Sequence, residues 1–192
     1  TIQGDTLSPL LFLFFMEPLL RWLQHGGRGY HYGCLSTATN THNKCSSLAF
    51  ADDLALMADD IQQLQAQCHK LTLYSQWAGM DIKYTECAAT GKLYNSIKNN
   101  AAQAGINLNN TLKQQLSTLK LDSHSIPYLP PNTPYKYLGM WINMDLNWNE
   151  HYQQTAAALK NKGDKLLATN LSLKIKLEML QKILRPSATY AF

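Results

Sequence analysis

Two adjacent acidic residues, Asp52 and Asp53, interrupt an apolar run and are the side chains best suited to chemistry in this sequence. Residues 48–51 precede the pair and residues 54–57 follow it, and both flanks are apolar. Carboxylate oxygens are the ligands that Mg²⁺ prefers, and this ion usually keeps substrate phosphates and water in its coordination shell. The pair is therefore a candidate Mg²⁺ site for phosphoryl transfer. Asp is also a favoured turn residue, so a solvated turn between two strands explains the same pattern.

The two flanking runs must position these carboxylates. Short apolar runs bounded by polar residues favour buried strands, and the simplest arrangement is a tight β-hairpin whose turn presents Asp52 and Asp53. Burying two anions is unfavourable unless they are paired or bound to a cation. A buried hairpin of this kind would therefore favour the metal interpretation.

The first part of the chain predicts a helix. Ser8 followed by Pro9 is typical of a helix start, with a hydroxyl N-cap and proline at the first helical position. The segment 10–24 is apolar nearly all round at first, which predicts early burial. Pro18 is expected to kink or break the helix, and residues 25–27, His-Gly-Gly, to end it.

Gln3 and Gly4 precede this helix and are candidate nucleotide-binding residues. Glycine permits close approach of a ligand to the backbone, and a helix N-terminus favours anions. An ordinary glycine turn entering a core helix explains these two residues as well, so both interpretations stay open on this segment.

The clearest amphipathic helix is predicted at residues 60–79. Its apolar and small side chains recur every three or four residues: Ile61, Leu64, Cys68, Leu71, Ser75 and Ala78. Asp60 and Gln63 resemble a capping box, and Gly79 is expected to close the helix. Capping therefore explains the second Ala-Asp-Asp triplet without a second metal site. A strand is predicted to follow at residues 81–90.

The last third of the chain predicts a hairpin and two helices. Four prolines at 127–134 mark an extended connector, and residues 135–148 alternate as a β-hairpin with its turn near 143–145. Helices are expected at 149–168 and at 172–185, the second one starting at Ser172 and stopping at Pro186. From Lys160 to Arg185 there are seven basic and two acidic residues, which suits either a phosphate-gripping surface or solvated helix faces.

Composition limits the remaining classes. The 192 residues are 45% hydrophobic and carry a net charge of +4, so they can build a core and mildly favour an anionic partner. The cysteines, including Cys34 and Cys45, lack zinc-site spacing and are predicted to be reduced thiols of an intracellular protein. The longest apolar run, 10–16, is far too short for a membrane span, and no signal peptide is visible. Because Thr1 begins inside a motif, the chain is expected to be a piece of a longer protein.

Four motifs occur in a characteristic order: Gln-Gly-Asp-Thr-Leu-Ser-Pro-Leu-Leu-Phe at 3–12, Phe-Ala-Asp-Asp at 50–53, Trp-Ala-Gly-Met at 77–80 and Tyr-Leu-Gly at 137–139. Together they resemble the reverse transcriptase of non-LTR (LINE-type) retrotransposons, over nearly the whole chain and most densely at 1–25, 46–91 and 134–150. The resemblance implies an RNA-directed DNA polymerase of α+β fold, a partial right-hand palm with helices packed on antiparallel sheet. The implied domains are a palm lacking the fingers and the first catalytic-Asp strand (1–134), a primer-grip-like hairpin (135–148) and the start of a helical thumb (149–192).

The resemblance also implies roles for particular residues. Asp52 and Asp53 match the catalytic pair that holds two Mg²⁺ ions, with Mn²⁺ as an alternative, for transfer of a nucleotide to the primer 3′-hydroxyl. Phe50 stands where the family has Tyr or Phe, and it belongs with Gln3 and Gly4 to the nucleotide and template site. The primer grip is assigned to Tyr137, Leu138 and Gly139, and the contacts to the nucleic-acid backbone to Lys160, Lys162, Lys165, Lys174 and Lys176. The implied partners are an RNA template, a DNA primer and dNTPs, with no membrane, and the implied location is the nucleus.

Two departures from the family pattern qualify this assignment. The family's other catalytic Asp lies upstream of the Gln-Gly segment, so the 192-residue chain by itself is expected not to polymerise. Glu86 stands where the family has a Lys near the pyrophosphate end of the nucleotide, and reversed charge there is expected to slow turnover. Lys83 replaces that Lys if the register shifts. The alternative function is a non-catalytic, nucleic-acid-binding relic of a retroelement.

Overall fold

The computed structural model describes residues 6–32, 43–92 and 108–189, which belong to two compact units, Thr1–Leu129 and Pro130–Phe192. The helices of the first unit are α1 Ser8–Gln24, α2 Ile61–Ala78, a 3₁₀ turn Tyr84–Glu86 and α3 Leu108–Ser117. Its strands are β1 Tyr30–Tyr32, β2 Asn43–Cys45, β3 Ser47–Phe50, β4 Asp53–Leu56, β5 Lys120–Leu121 and β6 His124–Ser125. The second unit contains β7 Tyr135–Tyr137, β8 Met140–Ile142, α4 Asn149–Leu167, α5 Leu173–Met179, a π-helix Leu180–Leu184 and α6 Arg185–Thr189.

Among the described residues, the strands named above pair with their neighbours in the chain. Each pair of consecutive strands forms a two-stranded antiparallel sheet, which gives four small sheets within the described ranges. The mixture of helices with antiparallel sheet confirms the α+β class at this level.

Helix α1 departs from its prediction at the start and at its proline. The helix begins at Ser8 itself, and Leu7 is the N-cap residue without a side-chain capping bond. The helix also runs through Pro18 to Gln24 and is not broken there. Proline removes one backbone hydrogen bond from a helix. Since Met16 and Leu19 are buried on either side of Pro18, tertiary packing holds the helix across that gap.

The predicted burial of the early part of α1 is wrong. Leu13 and Phe14 are 61% and 68% exposed, whereas Leu19 and Leu23 are fully buried. An apolar sequence all round a helix indicates only that every face of the helix could be buried. Which face is buried depends on the elements that pack against the helix. In the described part of the chain, α1 packs chiefly with one side against α2 and β4.

Helix α2 is the centre of the first unit, and its predicted ends are confirmed. The Asp60 carboxylate accepts a hydrogen bond from the Gln63 backbone N–H at 2.8 Å, as an N-cap does. Gly79 adopts a left-handed φ of 63°, which lets the Met80 N–H donate to the Ser75 carbonyl at 2.9 Å.

Two hydrophobic clusters flank α2. The first gathers Met16, Leu19 and Leu23 of α1 with Tyr74 of α2, and it receives the β4 side chains described below. The second gathers Ala89, Leu116 and Leu119 with partly buried side chains of α2. Because α2 packs on two sides, its buried residues include polar ones: Gln67, Lys70, Thr72 and Ser75.

The buried Lys70 side chain of α2 links this helix to the end of α1. Its ammonium donates to the carbonyl oxygens of Trp22 and His25 at the end of α1, the latter at 3.2 Å. It also lies 5.5 Å from the centre of the Trp22 ring. Burial, and secondarily the charge of Arg28, lowers the pKa of Lys70. The contact satisfies helix-end carbonyls and places a cation at the negative end of the α1 dipole.

The strand predicted after Gly79 is wrong. A 3₁₀ turn at Tyr84–Glu86 occupies its middle, and only Ala89 makes a β-bridge, with Tyr128. The local hydrogen bond from the Glu86 N–H to the Lys83 carbonyl, 3.0 Å long, competes with ladder pairing. The Tyr84 ring stacks on His124 at 3.9 Å between centroids, which further holds the turn.

The second unit contains a hairpin at residues 135–142, which is shorter than the one predicted at 135–148 and has a different turn. Strands β7 and β8 are joined by Leu138 and Gly139, which both have positive φ, 49° and 81°. Such a two-residue turn suits the twist of paired strands. The predicted turn near 143–145 exists but leads towards α4, with the Asn143 side-chain oxygen accepting from the backbone N–H of Asp145 and of Asn147.

The last helical segment passes the proline that was expected to stop it. Ser172 is the N-cap residue of α5 as predicted, but the π-helix Leu180–Leu184 and then α6 carry the helix beyond Pro186. Proline lacks an N–H and its ring collides with the carbonyl four residues earlier. A widened π-turn just before Pro186 accommodates that ring without ending the helix. Among the helices described, none has the length and apolar character needed to cross a membrane.

Candidate active site

The Asp-Asp segment forms the tight hairpin that the sequence predicts. Strands β3 and β4 pair in register from Ser47 opposite Leu56 to Phe50 opposite Asp53. Ala51 and Asp52 form the two-residue turn, and Ala51 adopts a left-handed φ of 50°. Asp52 therefore lies at the tip, and Asp53 is the first residue of β4.

The two faces of this hairpin have different surroundings. Residues directly opposite each other in an antiparallel pair point to the same side. Leu54 and Leu56 pack against the α1–α2 cluster, so the register puts Phe50, Asp53 and Leu48 on the other side. Leu48 and Phe50 are 52% and 65% exposed. The expectation that both strands are buried is therefore wrong for β3, because only one face of the hairpin meets the helices.

Both carboxylates of the pair are exposed to solvent. Solvent stabilises them, so the argument that two buried anions require a cation does not apply here. Their chemistry depends instead on what reaches the open tip. Within residues 6–32, 43–92 and 108–189, no group of three or more His, Cys, Asp or Glu side chains is placed to hold a metal ion.

The base of the hairpin is held by a residue that sequence reasoning missed. The Met57 N–H donates to the Ser46 carbonyl at 2.8 Å, which extends the hairpin by one pair. Gln67 of α2 is fully buried, and its side-chain amide donates to the Met57 carbonyl at 3.0 Å. Gln67 thus ties the hairpin to the central helix. The sequence offers no signal for this role, because glutamine in an amphipathic helix usually lies on the exposed face.

The second Ala-Asp-Asp triplet has a structural role. Asp60 caps α2, as predicted, and Asp59 accepts a hydrogen bond from the His31 backbone N–H at 3.0 Å. The Asp59 carboxylate also forms an ion pair with the His31 ring. Partial burial opposes ionisation of Asp59, but the His31 hydrogen bonds and charge outweigh it, so the pKa of Asp59 is lowered. This acid therefore anchors β1 to the start of α2.

The lowered pKa of Asp59 predicts a pH dependence of stability. A depressed native pKa contributes stability that is present above the unfolded value, about 4, and is lost as the pH falls through the native pKa. Urea unfolding should therefore show that the free energy of unfolding falls between about pH 6 and pH 3, and that Asp59→Asn makes this fall smaller. His31→Ala should reduce it in the same way. An unchanged pH dependence in Asp59→Asn would contradict this assignment.

The remaining site residues predicted from sequence lie in different parts of the fold. Gln3 and Gly4 lie outside the described residues. Tyr137, Leu138 and Gly139 form the end of β7 and the hairpin turn of the second unit. Glu86 pairs with Lys83 across the 3₁₀ turn at 3.5 Å, and both side chains are largely exposed.

The five candidate lysines differ in their surroundings. Lys176 donates to the Leu167 carbonyl at 2.9 Å and so satisfies the end of α4, and Lys162 donates to the Ser187 hydroxyl at 3.3 Å. Lys160, Lys165 and Lys174 are exposed. A nucleic-acid role for this group stays a prediction, and two of its members already have intramolecular partners.

The described cysteines support the expectation of free thiols. Cys45, Cys68 and Cys87 form no disulfide. Burial, with a smaller contribution from Cys87, raises the pKa of the Cys68 thiol to about 11. Cys68 is therefore an unreactive core side chain at neutral pH. Cys34 lies outside the described residues.

Comparison with known proteins identifies the family of this chain. Residues 1–142 match the family described as "Reverse transcriptase (RNA-dependent DNA polymerase)". The chain is 35% identical over 85 residues to "Retrovirus-related Pol polyprotein from type-1 retrotransposable element R2" of Nasonia vitripennis, which covers 44% of this chain and 7% of that protein. It is 31% identical over 138 residues to "Retrovirus-related Pol polyprotein from type-2 retrotransposable element R2DM" of Drosophila melanogaster, which covers 72% of this chain and 11% of that protein.

No solved structure matches the chain significantly. The chain spans only about a tenth of the length of these two relatives. The predicted resemblance to non-LTR retrotransposon enzymes is confirmed, since both relatives belong to R2 elements. With about three quarters of its residues inside the family match, the chain belongs to the reverse transcriptase family.

Proposed function

We propose that this chain forms part of the RNA-directed DNA polymerase of a non-LTR retrotransposon. In this proposal residues 1–134 belong to the palm, residues 135–148 form the primer grip, and residues 149–192 begin the thumb. The family match over residues 1–142 and the order of the motifs support the proposal. The observation that carries it is the open hairpin, which presents Asp52 and Asp53 at its tip inside the matched region.

Asp52 and Asp53 are proposed to bind two Mg²⁺ ions. Two neighbouring carboxylates at an exposed tip fit Mg²⁺ because this ion commonly takes one or two protein carboxylates and completes its shell with substrate phosphates and water. Bound there, the metal supplies activation of the primer 3′-hydroxyl and stabilisation of the leaving pyrophosphate. Both carboxylates are exposed at the hairpin tip, where a metal ion and a nucleotide can approach them from solvent.

Phe50 is proposed to contribute to the nucleotide site through its position beside Asp53. The two residues are opposite each other in the β3–β4 register, so their side chains share the solvent face of the hairpin. An exposed aromatic ring next to a metal-binding carboxylate offers an apolar surface to a sugar or a base. Gln3 and Gly4 are proposed to line the same nucleotide and the template.

The nucleic-acid partners are proposed to be an RNA template and a DNA primer. Tyr137, Leu138 and Gly139 are proposed to hold the primer end, since a tight turn with two positive-φ residues presents its backbone to a ligand. Exposed lysines of α4 and α5, among them Lys160, Lys165 and Lys174, are proposed to contact phosphates.

Primer extension tests the proposal. The assay uses an extended form of the chain that carries the upstream Asp-bearing strand, an RNA template, a DNA primer and dNTPs. Nucleotide addition that requires Mg²⁺ or Mn²⁺ is the expected result. Binding of template-primer without any nucleotide addition would favour the alternative, a non-catalytic relic. The sequence observation that supports this alternative is Glu86, which stands where the family has a Lys.

Glu86→Lys separates decay from a functional substitution. If Glu86 is a decayed position, restoring positive charge beside the polyphosphate should raise the rate of addition in the extended enzyme, by about tenfold. The Lys83 ammonium lies 3.5 Å from the Glu86 carboxylate, which supports the alternative that Lys83 supplies the missing charge. Lys83→Ala is therefore the matched variant. No gain in Glu86→Lys together with a loss in Lys83→Ala would contradict the decay interpretation.

A further inference from the structure

A groove in the second unit has an aliphatic lining that the polymerase proposal does not use. It lies between α4 and the helical segment that follows α5, and its volume is about 340 Å³. Its α4 wall includes Lys162, Lys165 and Leu166, and its other wall includes Met179, Ile183 and Leu184; the four apolar side chains among these six form the floor.

The floor of this groove is aliphatic. Ile183 and Leu184 belong to the π-helix, so the widened turn before Pro186 helps to set the shape of the second wall. None of the described residues that line the groove is aromatic. A nucleic-acid base would therefore find no ring to stack on, whereas aliphatic side chains of a protein would find a matching surface with an adaptable methionine.

The rim of the groove is positively charged. Lys165 is exposed on the α4 wall, while the Lys162 ammonium is held by the Ser187 hydroxyl. The surrounding segment, Lys160 to Arg185, carries seven basic and two acidic residues. An aliphatic floor beside an exposed lysine is complementary to a helix with one apolar face and one acidic face.

We propose that this groove binds an acidic amphipathic helix of a partner protein. The apolar face of the partner fills the space between Leu166 and Ile183, and its carboxylates approach Lys165. Charge selects the partner and the aliphatic floor supplies the contact area. This role involves neither the Asp52-Asp53 hairpin nor the primer grip, but it shares Lys165 with the phosphate contacts of the polymerase proposal, so a peptide and an oligonucleotide would compete at that lysine.

The chain offers a matched pair of charge variants on one helix. Lys165→Glu reverses the charge at the groove rim. Lys160→Glu makes the same change about 140° away around the helix axis of α4, outside the residues that line the groove. Both lysines are exposed, so neither substitution is expected to unfold the chain. Ile183→Ser tests the floor separately.

The probe is a fluorescently labelled synthetic acidic amphipathic helix of about 18 residues, long enough to be helical alone. Fluorescence anisotropy with the 192-residue chain should show binding that Lys165→Glu weakens by about tenfold and Lys160→Glu by less than about twofold. A scrambled peptide of the same composition should bind weakly. Ile183→Ser should also weaken binding, and circular dichroism checks that this variant is folded. If it does not fold, the comparison of Lys165→Glu with Lys160→Glu still tests the proposal.

Three results would overturn the proposal. Equal binding of the scrambled peptide would show attraction by net charge alone. An oligonucleotide that displaces the peptide, with binding weakened equally by both lysine variants, would show a diffuse nucleic-acid surface. Self-association of the chain in sedimentation experiments that Ile183→Ser abolishes would show that a second copy covers the groove.

Discussion

Replacing Asp52 and Asp53 by asparagine is expected to abolish metal-dependent nucleotide addition in the extended enzyme. Asparagine keeps the shape of each side chain but removes the negative charge that the proposed Mg²⁺ ions require. A loss on the order of 10³-fold or more, equivalent to about 4 kcal/mol of transition-state stabilisation, is the expected size. Because both carboxylates are exposed at the hairpin tip, the free energy of unfolding should change by less than about 0.5 kcal/mol.

The second Ala-Asp-Asp triplet supplies the matched control for that experiment. Asp59→Asn with Asp60→Asn makes the same chemical change, but these residues hold β1 and cap α2. The double variant should lose the stability that the Asp59–His31 ion pair contributes, whereas asparagine caps a helix about as well as aspartate does, and it should keep its activity at temperatures where it is folded. The two pairs would thus separate catalysis from folding. Activity that survives Asp52→Asn with Asp53→Asn would refute the metal assignment.

Leu19→Ala is expected to destabilise the chain more than any other single truncation described here. Leu19 is fully buried and belongs to the cluster of Met16, Leu23 and Tyr74 between α1 and α2. Removing a buried leucine side chain costs about 2–5 kcal/mol, because transfer free energy is lost and a cavity remains. Chemical denaturation of the 192-residue chain measures the change, and a loss of cooperative unfolding is its extreme form.

Leu13→Ala on the same helix is the control for that variant. The chemical change is identical, but Leu13 is 61% exposed, so the expected change is within about 0.5 kcal/mol. A loss at Leu13 as large as the loss at Leu19 would show that the outer face of α1 is covered in solution. The pair therefore tests directly which side of this all-round apolar helix is buried.

Local chemistry explains the elements that the sequence predicted well. The hairpin at Asp52-Asp53, the cap at Asp60 and the end of α2 at Gly79 all depend on residues close together in the chain. A carboxylate that reaches a backbone N–H three residues ahead, or a glycine in the left-handed region, acts wherever the helix lies in the fold. The family motifs are likewise a property of the sequence alone.

Errors in prediction arose where a nearby alternative in the chain or the wider fold decided the outcome. The strand predicted after Gly79 does not form, because local 3₁₀ hydrogen bonds and the stacking of Tyr84 on His124 stabilise a turn there instead. The hairpin turn moved to Leu138 and Gly139, because these two residues adopt positive φ and leave Asn143 to start a later turn. Pro186 did not end its helix, because the widened π-turn before it accommodates the proline ring.

The sequence by itself determined that this chain carries the motifs of a reverse transcriptase, that two carboxylates share a hairpin tip, and that its basic surplus lies near the end. Only the tertiary structure decided which faces are covered. Phe50 and Asp53 lie on the solvent side of the hairpin because Leu54 and Leu56 meet α1 and α2 on the other side. The buried Gln67 side chain donates to the Met57 carbonyl at the base of the hairpin, and Lys176 donates to the Leu167 carbonyl at the end of α4. Periodicity shows which residues are able to be buried, but burial itself depends on the neighbours that remote parts of the chain bring to each face.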